Sequence, residues 1–305
     1  MKVLVLLVLV GAAAATPLFT GEVMERQFRE KNIVMMCKEL GLMETVKMVE
    51  MAKLTKTLAT GGPFTLFAPT DDAWNALPAD FINELKMNMT ALTMLLEFHV
   101  HAGKFMAAMI KDEMMIPTLL KAPMIRFNTY DMNLITATGS PVAKPDQMAS
   151  NGVIHVINRV MWPIPMGDVV DVVSTMSNFS TLLTAVQAAG LGETLKGDAL
   201  TIFAPTNEAF AKIPKKDLDA LLANKTALIN VLTYHVVPKT WWSAALSDNQ
   251  MLPTACTACP MKLAVHINDM GVMINDATVV MADAAVSNGV IHVIDTVLMP
   301  KMDTL

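Results

Sequence analysis

The chain has 305 residues, and its 23 Lys and Arg against 28 Asp and Glu give a formal net charge of −5. This length is enough for two domains of ordinary size, each able to bury its own core. The acidic balance argues against a dedicated nucleic-acid binder, because phosphate contacts need a basic face.

The first 15 residues have the pattern of a secretory signal peptide. A basic start at Lys2 is followed by an unbroken apolar run, and the small residues Ala13–Ala15 precede Thr16 as at a cleavage site. The run is too short for a membrane span, later apolar stretches are interrupted by polar residues, and the final residues lack the hydrophobic tail of a lipid-anchor signal. We therefore predict a secreted, soluble protein without membrane insertion, whose mature chain begins at Thr16.

The rest of the sequence carries the same pattern twice. Phe67–Thr70 returns as Phe203–Thr206, 136 positions later, and Ser150–Ile157 returns as Ser287–Ile294, 137 positions later. The near-constant spacing indicates a tandem duplication of a domain-sized unit. The predicted organisation is a signal peptide, an N-terminal segment, two domains and a short tail, at residues 1–15, 16–30, 31–165, 166–302 and 303–305.

Each copy is predicted to open with an amphipathic helix. In the second copy, apolar residues recur at helical spacing and stop at Gly190, which suits a helix ended by a left-handed glycine. These residues are Phe179, Leu182, Leu183, Val186 and Ala189. The corresponding place in the first copy has a less regular pattern, through Leu42, Val46, Val49 and Lys53.

A strand and a capped helix are predicted next. Phe64–Phe67 and Leu200–Phe203 are short apolar runs typical of strands. Thr70 and Thr206 follow as helix caps, with acidic residues in the first turn, where they suit the helix dipole.

A longer helix then places a histidine on its inward face in both copies. Trp74 and Phe210, just before it, share one position and are expected to be core anchors rather than ligand platforms. The apolar positions of the helix lie at i, i+3, i+4 and i+7. They are Leu92, Leu95, Leu96 and His99 in the first copy, and Leu228, Val231, Leu232 and His235 in the second.

The end of each copy is predicted to be β-structure. Val265–Ile267 and Val272–Ile274 are predicted strands joined by a tight turn, and Gly152–Ile157 and Gly289–Ile294 are predicted last strands. Because helices come first and strands later, the predicted fold class is α+β rather than a parallel βαβ sheet.

Three sequence boxes, each present twice, resemble those of the fasciclin domain family. The first is Phe64–Trp74, repeated at Leu200–Phe210, and the second is Phe98-His99-Val100, repeated as Tyr234-His235-Val236. The third is Asn-Gly-Val-Ile-His-Val-Ile near the end of each copy. The resemblance covers about residues 30–302 and implies two tandem fasciclin domains, each a small β-sandwich or wedge with N-terminal and capping helices.

Within that family the chain is most similar to the secreted animal matrix proteins of the periostin and keratoepithelin group. The resemblance implies an extracellular adhesion and matrix protein, with integrin-type receptors and collagen or other matrix proteins as partners. It also implies that the protein is not an enzyme. The sequence shows no serine nucleophile elbow, phosphate-binding Gly-rich loop or zinc-protease helix, so we expect no catalytic site, cofactor or metal.

Two integrin-recognition segments of the family can be placed on this sequence. The Tyr-His motif matches Tyr234-His235, whereas the first copy has Phe98-His99 and lacks the hydroxyl. The Asp-Ile motif matches in part, with Asp146 followed by Gln and Asp283 followed by Ala.

These segments have a receptor-binding and a structural interpretation. An exposed carboxylate at Asp146 or Asp283 would complete the coordination of Mg²⁺ or Ca²⁺ held by a receptor, and the alternative is a solvated loop acid. Tyr234 would offer a flat contact surface with a polar tip. For His235, which lies on the apolar face, the alternative is a structural histidine hydrogen-bonded inside the domain.

Three acceptor sequons for N-linked glycans begin at Asn88, Asn178 and Asn224. Asn88 and Asn224 occupy the same position in the two copies, just ahead of the long helix, and we expect glycans there. The alternative is that Asn or Thr serves as a helix cap.

The cysteines and methionines leave alternatives open. Cys256 and Cys259 are expected to form a local disulfide in an oxidising compartment, with redox chemistry or metal binding as the alternative. Cys37 is then free, buried or bonded to another chain. The 27 methionines mostly stand where Leu or Ile would serve, although thioethers also ligate soft metals.

Two hypotheses therefore stand beside adhesion. One is a self-associating structural component of a secreted matrix or layer, which would use the odd cysteine and apolar surface. The other is a soft-metal or redox binder through the methionines and Cys256 with Cys259.

Overall fold

A computed structural model gives the structure of residues 31–164, 167–197, 199–259, 261–269 and 271–300. The predicted signal peptide and N-terminal segment, residues 1–30, lie outside these ranges. We call residues 31–164 domain 1 and residues 167–300 domain 2.

Domain 1 begins with helices and ends with strands. Its helices are α1 Ile33–Glu39, α2 Met43–Met51, α3 Thr55–Thr60, α4 Asp71–Asn75, α5 Ala79–Met87 and α6 Met89–Phe98. Its strands are β1 Phe64–Pro69, β2 Val100–Ala102, β3 Met115–Ile116, β4 Ile125–Thr129, β5 Ile135–Ala137, β6 Ser140–Ala149 and β7 Gly152–Ile157.

Domain 2 repeats the same order, except that a 3-10 turn at Thr194–Lys196 takes the place of α3. Its helices are α7 Val169–Thr175, α8 Ser180–Ala189, α9 Asn207–Ala211, α10 Lys215–Ala223 and α11 Lys225–Tyr234. Its strands are β8 Leu200–Pro205, β9 Val236–Pro238, β10 Met251–Leu252, β11 Leu263–Asn268, β12 Gly271–Ile274, β13 Ala277–Val286 and β14 Gly289–Ile294. The shared order confirms the predicted duplication and the predicted α+β class.

Each domain has one seven-stranded sheet that folds back on itself. The strand order is β2-β1-β7-β6-β5-β4-β3 in domain 1, where β1 and β7 pair in parallel and the other neighbours are antiparallel. Three strands separate β1 from β4, which in a flat sheet would set them about 19 Å apart. The rings of Phe67 in β1 and Phe127 in β4 are nevertheless 5.6 Å apart. The sheet is therefore curved into a wedge.

Two buried clusters hold each domain together. In domain 1, the helices cover one face of the sheet with residues that include Ile33, Met48 and Trp74. The second cluster, which includes Phe67 and Phe127, fills the inside of the wedge. Domain 2 has the same two clusters. Burial of this apolar surface is the main force that stabilises each wedge.

Local signals in the sequence set the helix ends as predicted. Thr70 and Thr206 accept hydrogen bonds from the backbone N–H groups of Ala73 and Ala209, so each caps a helix. Gly190 ends α8 with φ 74° and ψ 27°, the left-handed conformation that glycine adopts without steric cost.

No single helix within the described ranges is long and apolar enough to cross a membrane. The pair Val169–Thr175 and Ser177–Ala189 passes that test only together, with a bend of 109° between its parts.

Candidate receptor-binding site

The Tyr-His positions of the two domains are buried at the ends of long helices. Phe98 and His99 are 0% and 1% exposed, and Tyr234 and His235 are 1% and 3% exposed. Tyr234 also has its hydroxyl inside domain 2, where it accepts a hydrogen bond from Asn275 Nδ2 at 3.2 Å. None of these four side chains therefore forms an accessible surface.

His99 and His235 each join a helix to the segment after the last strand. Nδ1 of His99 donates to the carbonyl of Leu95 at 2.8 Å, and Nε2 accepts from the N–H of Met161 at 3.0 Å. His235 repeats this with Val231 at 2.7 Å and Leu298 at 2.9 Å. Burial lowers the pKa of both histidines to about 4, so each is neutral at physiological pH. This geometry supports the structural interpretation of His235.

Asp146 and Asp283 occupy matching positions, where the long strands β6 and β13 are irregular. Both have positive φ, 56° and 63°, within register shifts of β6 and β13. The carboxylate Oδ1 of Asp146 accepts from the N–H of Ala107 at 2.8 Å, and that of Asp283 accepts from Ser243 at 2.7 Å. Each aspartate therefore anchors the short 3-10 turn that follows β2 or β9.

A buried histidine completes each of these two anchors. His155 Nδ1 accepts the backbone N–H of Asp146 at 3.2 Å, so Nε2 carries the proton that it donates to the carbonyl of Phe105 at 2.8 Å. His292 does the same with Asp283 and Trp241. Burial lowers the pKa of both histidines, which favours the neutral ring that this geometry requires.

The two aspartates differ in what contacts the second carboxylate oxygen, Oδ2. Asp283 Oδ2 accepts from Arg159 Nη1 of domain 1 at 2.7 Å and from the hydroxyl of Ser243, and its side chain is 21% exposed. The Asp146 side chain is 34% exposed, and no donor within the described ranges meets its Oδ2. Asp146 therefore has an available carboxylate oxygen, whereas Asp283 lies in the contact between the domains.

That contact is centred on Trp242, which follows β9. Trp242 is 1% exposed, and its indole Nε1 donates to Asn128 Oδ1 of domain 1 at 2.8 Å. The ring lies against Gly139, where an added Cβ would come within 2.6 Å of the ring atom Cε3. Gly139 has φ 77°, so this turn needs glycine both for its backbone and for the seat of the indole.

Buried polar groups extend the contact around Trp242. Thr240 of domain 2 donates its backbone N–H to Glu113 Oε1 at 3.0 Å and accepts from Arg126 Nη1 at 3.2 Å. Arg126 also donates to the carbonyl of Ser287. Glu113 in turn accepts from Asn128 Nδ2 at 2.8 Å, so the hydrogen bonds form one network across the contact.

An aromatic and charged layer closes the edge of the contact. Lys239 Nζ lies 4.9 Å from the ring centroid of Tyr130 and 5.6 Å from that of Trp241, and it pairs with Asp112 at 3.1 Å. The hydroxyl of Tyr130 donates to the carbonyl of Thr240 at 2.7 Å. The two wedges are therefore held as one unit.

The duplicated wedge with these anchors matches a known family. Residues 41–163 and 177–300 match the family model of the fasciclin domain. The chain belongs to the fasciclin domain family.

Individual relatives support this assignment. Transforming growth factor-beta-induced protein ig-h3 of Sus scrofa is 30% identical over 81% of this chain and 36% of its own length. Periostin of Homo sapiens is 28% identical over 86% of this chain and 31% of its own length. The chain thus spans about a third of these relatives. A Synechocystis protein is 38% identical over 54% of this chain and 91% of its own length.

A solved structure of a FAS1 domain pair from the insect cell adhesion molecule Fasciclin I is also similar to this chain. The match covers 87% of this chain and 99% of the solved one. The sequence identity is 19% and the TM-score is 0.40.

Two of the three cysteines of the fasciclin domains, Cys37 and Cys256, are buried, and Cys259 is partly exposed. Cys256 and Cys259 form a disulfide with Cα atoms 5.2 Å apart. Cys37 is free and 2% exposed, and burial raises the pKa of its thiol to about 12. A disulfide from Cys37 to another chain would therefore need α1 to open, which leaves the self-association hypothesis without its predicted thiol. No group of three His, Cys, Asp or Glu in the described parts of the chain could hold a metal ion.

The sequon asparagines are exposed in both fasciclin domains. Asn88 and Asn224 cap α6 and α11, accepting hydrogen bonds from the N–H groups of Ala91 at 3.0 Å and Ala227 at 3.1 Å. Asn178 lies in a 3-10 turn beside buried Phe179. Capping uses only the side-chain oxygen, so it leaves Nδ2 available for a glycan.

Sequence reasoning missed the residues that join the domains. The available signal was a difference between the copies, since Trp241-Trp242 stands where the first copy has Phe105-Met106. Two adjacent tryptophans occur only in the second copy, and a glycine at the position of Gly139 occurs only in the first. These differences would have indicated a contact that each domain makes with a different surface.

Proposed function

We propose that the chain is an extracellular adhesion protein that binds an integrin-type receptor through domain 1. In this proposal Asp146 supplies the carboxylate oxygen that completes the coordination of a divalent cation held by the receptor. Membership of the fasciclin family and the resemblance to its matrix proteins support the adhesion role. Binding to collagen or other matrix proteins is proposed on the resemblance alone.

One observation carries the choice of Asp146 over the other candidates. Its Oδ1 fixes the turn at Ala107, so the carboxylate is held in place, and its Oδ2 has no donor in the described ranges. The neighbouring Lys144 and Pro145 are exposed, so a partner has access from this side. Asp283, by contrast, is neutralised by Arg159, and a receptor would first have to separate the domains.

The test compares Asp146→Asn with the wild type in binding to purified integrin ectodomains and in cell attachment, with Mg²⁺ or Mn²⁺ present. Asn keeps an oxygen for the Ala107 N–H, so the turn is expected to persist while the charge on the free oxygen is lost. We expect binding to weaken at least about tenfold, which corresponds to about 1.4 kcal/mol. The matched control is Asp219→Asn, an exposed acid on α10 of domain 2, which should bind as the wild type does.

Two results would contradict this proposal. Wild-type protein that supports neither receptor binding nor attachment would remove the adhesion function. Equal binding by Asp146→Asn and the wild type would remove Asp146 as the contact and leave the function in place.

A further inference from the structure

An open apolar groove of about 360 Å³ lies beside α5 and α6 of domain 1. Phe81 and Trp162 form its aromatic part. Their rings pack edge to face, with ring centroids 5.1 Å apart. They are 38% and 39% exposed, although aromatic side chains of this size are ordinarily well buried. Met94, 50% exposed, and Leu95 extend the apolar floor.

Asn88, the first residue of a sequon, lies on the wall of this groove. Its Oδ1 is used by the helix cap to Ala91, and its Nδ2 donates to no group within the described ranges. Nδ2 is the atom that carries an N-linked sugar. The cap fixes Oδ1 toward α6, so the orientation of Nδ2 is fixed with it.

Domain 2 has the same sequon and cap without the aromatic floor. Asn224 has nearly the same backbone angles as Asn88, φ −101° and ψ 92° against φ −103° and ψ 85°. However, the positions of Phe81, Met94 and Trp162 are taken there by Asp217, Asn230 and Met299. The two sequons therefore form a matched pair that differs in the adjacent surface.

We propose that the groove seats the first N-acetylglucosamine of a glycan attached to Asn88, with the apolar face of the sugar ring packed on Trp162 and Phe81. A pyranose ring presents C–H groups on one face, which suits the negative face of an aromatic ring, while its hydroxyls stay in water. The occupant is thus a sugar carried by this chain itself.

The attachment is a group transfer from a lipid diphosphate-linked oligosaccharide. The anomeric carbon forms a bond to Nδ2, and its bond to the diphosphate oxygen breaks with the electron pair going to that oxygen. Nδ2 loses one proton to the solvent, and the lipid diphosphate is the leaving group. This donor and its transferase belong to the secretory route, so the inference rests on the extracellular function proposed above.

The experiment uses the full chain made in a secretory eukaryotic host and in the bacterial cytoplasm. Thr90→Ala removes the Asn88 sequon and keeps its cap, and Thr226→Ala does the same for Asn224. Peptide mass spectrometry gives the occupancy of all three sequons, and an endoglycosidase trims each glycan to one N-acetylglucosamine.

The first readout is quenching of tryptophan fluorescence by acrylamide. Trp74 and Trp242 are 2% and 1% exposed, so the accessible signal comes from Trp162 and the partly buried Trp241. A sugar that covers one of two accessible rings should make quenching of the trimmed wild type about half that of secreted Thr90→Ala. Thr226→Ala should match the wild type, and the bacterial proteins should all quench alike.

The second readout is the thermal midpoint in a double-mutant cycle. Loss of the sugar in Thr90→Ala should lower the midpoint by about 2 °C. In a Trp162→Ala background the same loss should have no effect, because the platform is gone.

The inference is supported if Asn88 carries a glycan, if the trimmed wild type is quenched less than secreted Thr90→Ala, and if the effect of Thr90→Ala on the thermal midpoint disappears in the Trp162→Ala background. An occupied Asn224 with empty Asn88, or an occupied Asn88 with equal quenching, overturns it and leaves the proposed function intact. Empty sequons at all three positions in the secretory host would overturn the inference and also count against extracellular export.

Discussion

Replacing Trp242 with Ala is expected to separate the unfolding of the two domains. The indole is 1% exposed, lies against Gly139 and donates to Asn128 Oδ1 across the contact. Removing a buried Trp costs about 3–5 kcal/mol, and leaving a buried amide oxygen without a donor costs about 1–3 kcal/mol. These terms overlap, so we expect a loss of about 4 kcal/mol in the coupling between domains.

Differential scanning calorimetry measures this coupling directly. The wild type should unfold in one cooperative transition, because the contact ties the stability of each wedge to the other. Trp242→Ala should show two transitions, with the ratio of van't Hoff to calorimetric enthalpy below one for the whole trace.

A matched control exists in the first domain. Met106 holds the position of Trp242 in domain 1 and is half-buried. Met106→Ala should cost about 1 kcal/mol or less and keep a single transition. A Trp242→Ala variant that still unfolds in one transition at nearly the wild-type midpoint, or a Met106→Ala variant that loses as much stability, would contradict this prediction.

Two further predictions concern buried titratable groups. The free energy of unfolding should fall as pH drops from 7 to 4. Burial holds the pKa of His99 and His235 at about 4 in the folded protein, whereas in the unfolded chain the pKa is 6.5, so the unfolded chain binds protons first as the pH falls. Each histidine contributes up to about 3 kcal/mol to this loss, which is complete below pH 4, and a flat profile in urea titrations would contradict it. Cys37, with a thiol pKa of about 12, should react with a thiol reagent at pH 8 at least about 100-fold more slowly in the native protein than in denaturant. Rapid labelling of Cys37 in the native protein, or oligomers that dissociate when a reductant is added, would show that the thiol is accessible.

The sequence predicts the helix and strand order well because those signals are local. Gly190 ends its helix in the left-handed conformation, and Thr70 caps its helix, since each acts on residues within one turn. The inward position of His235 also follows from helical spacing. The fold-back that joins Phe67 to Phe127 is different, because it depends on sheet curvature and on bulges that no short pattern encodes.

In the candidate site, too, the local features could be predicted from the sequence and the contacts between domains could not. Sequence alignment of the two copies makes Asp146 and Asp283 equivalent, and their anchoring to Ala107 and Ser243 is indeed equivalent. Their availability differs because Arg159 from the other domain reaches only Asp283. Tertiary contacts between copies are invisible to a comparison that looks only for what the copies share.

The seat that receives Trp242 exists once in the described chain. On the outer edge of domain 2, the positions of Arg126, Asn128 and Gly139 are held by Ala264, His266 and Asp276. Asp276 carries a side chain at the position where the indole of Trp242 requires a glycine. The position equivalent to Trp242 in domain 1 holds Met106. A head-to-tail contact that could be repeated would build an open filament. Because both halves of this joint are altered at the outer ends, the contact made by Trp242 is not expected to repeat from one copy of the chain to the next.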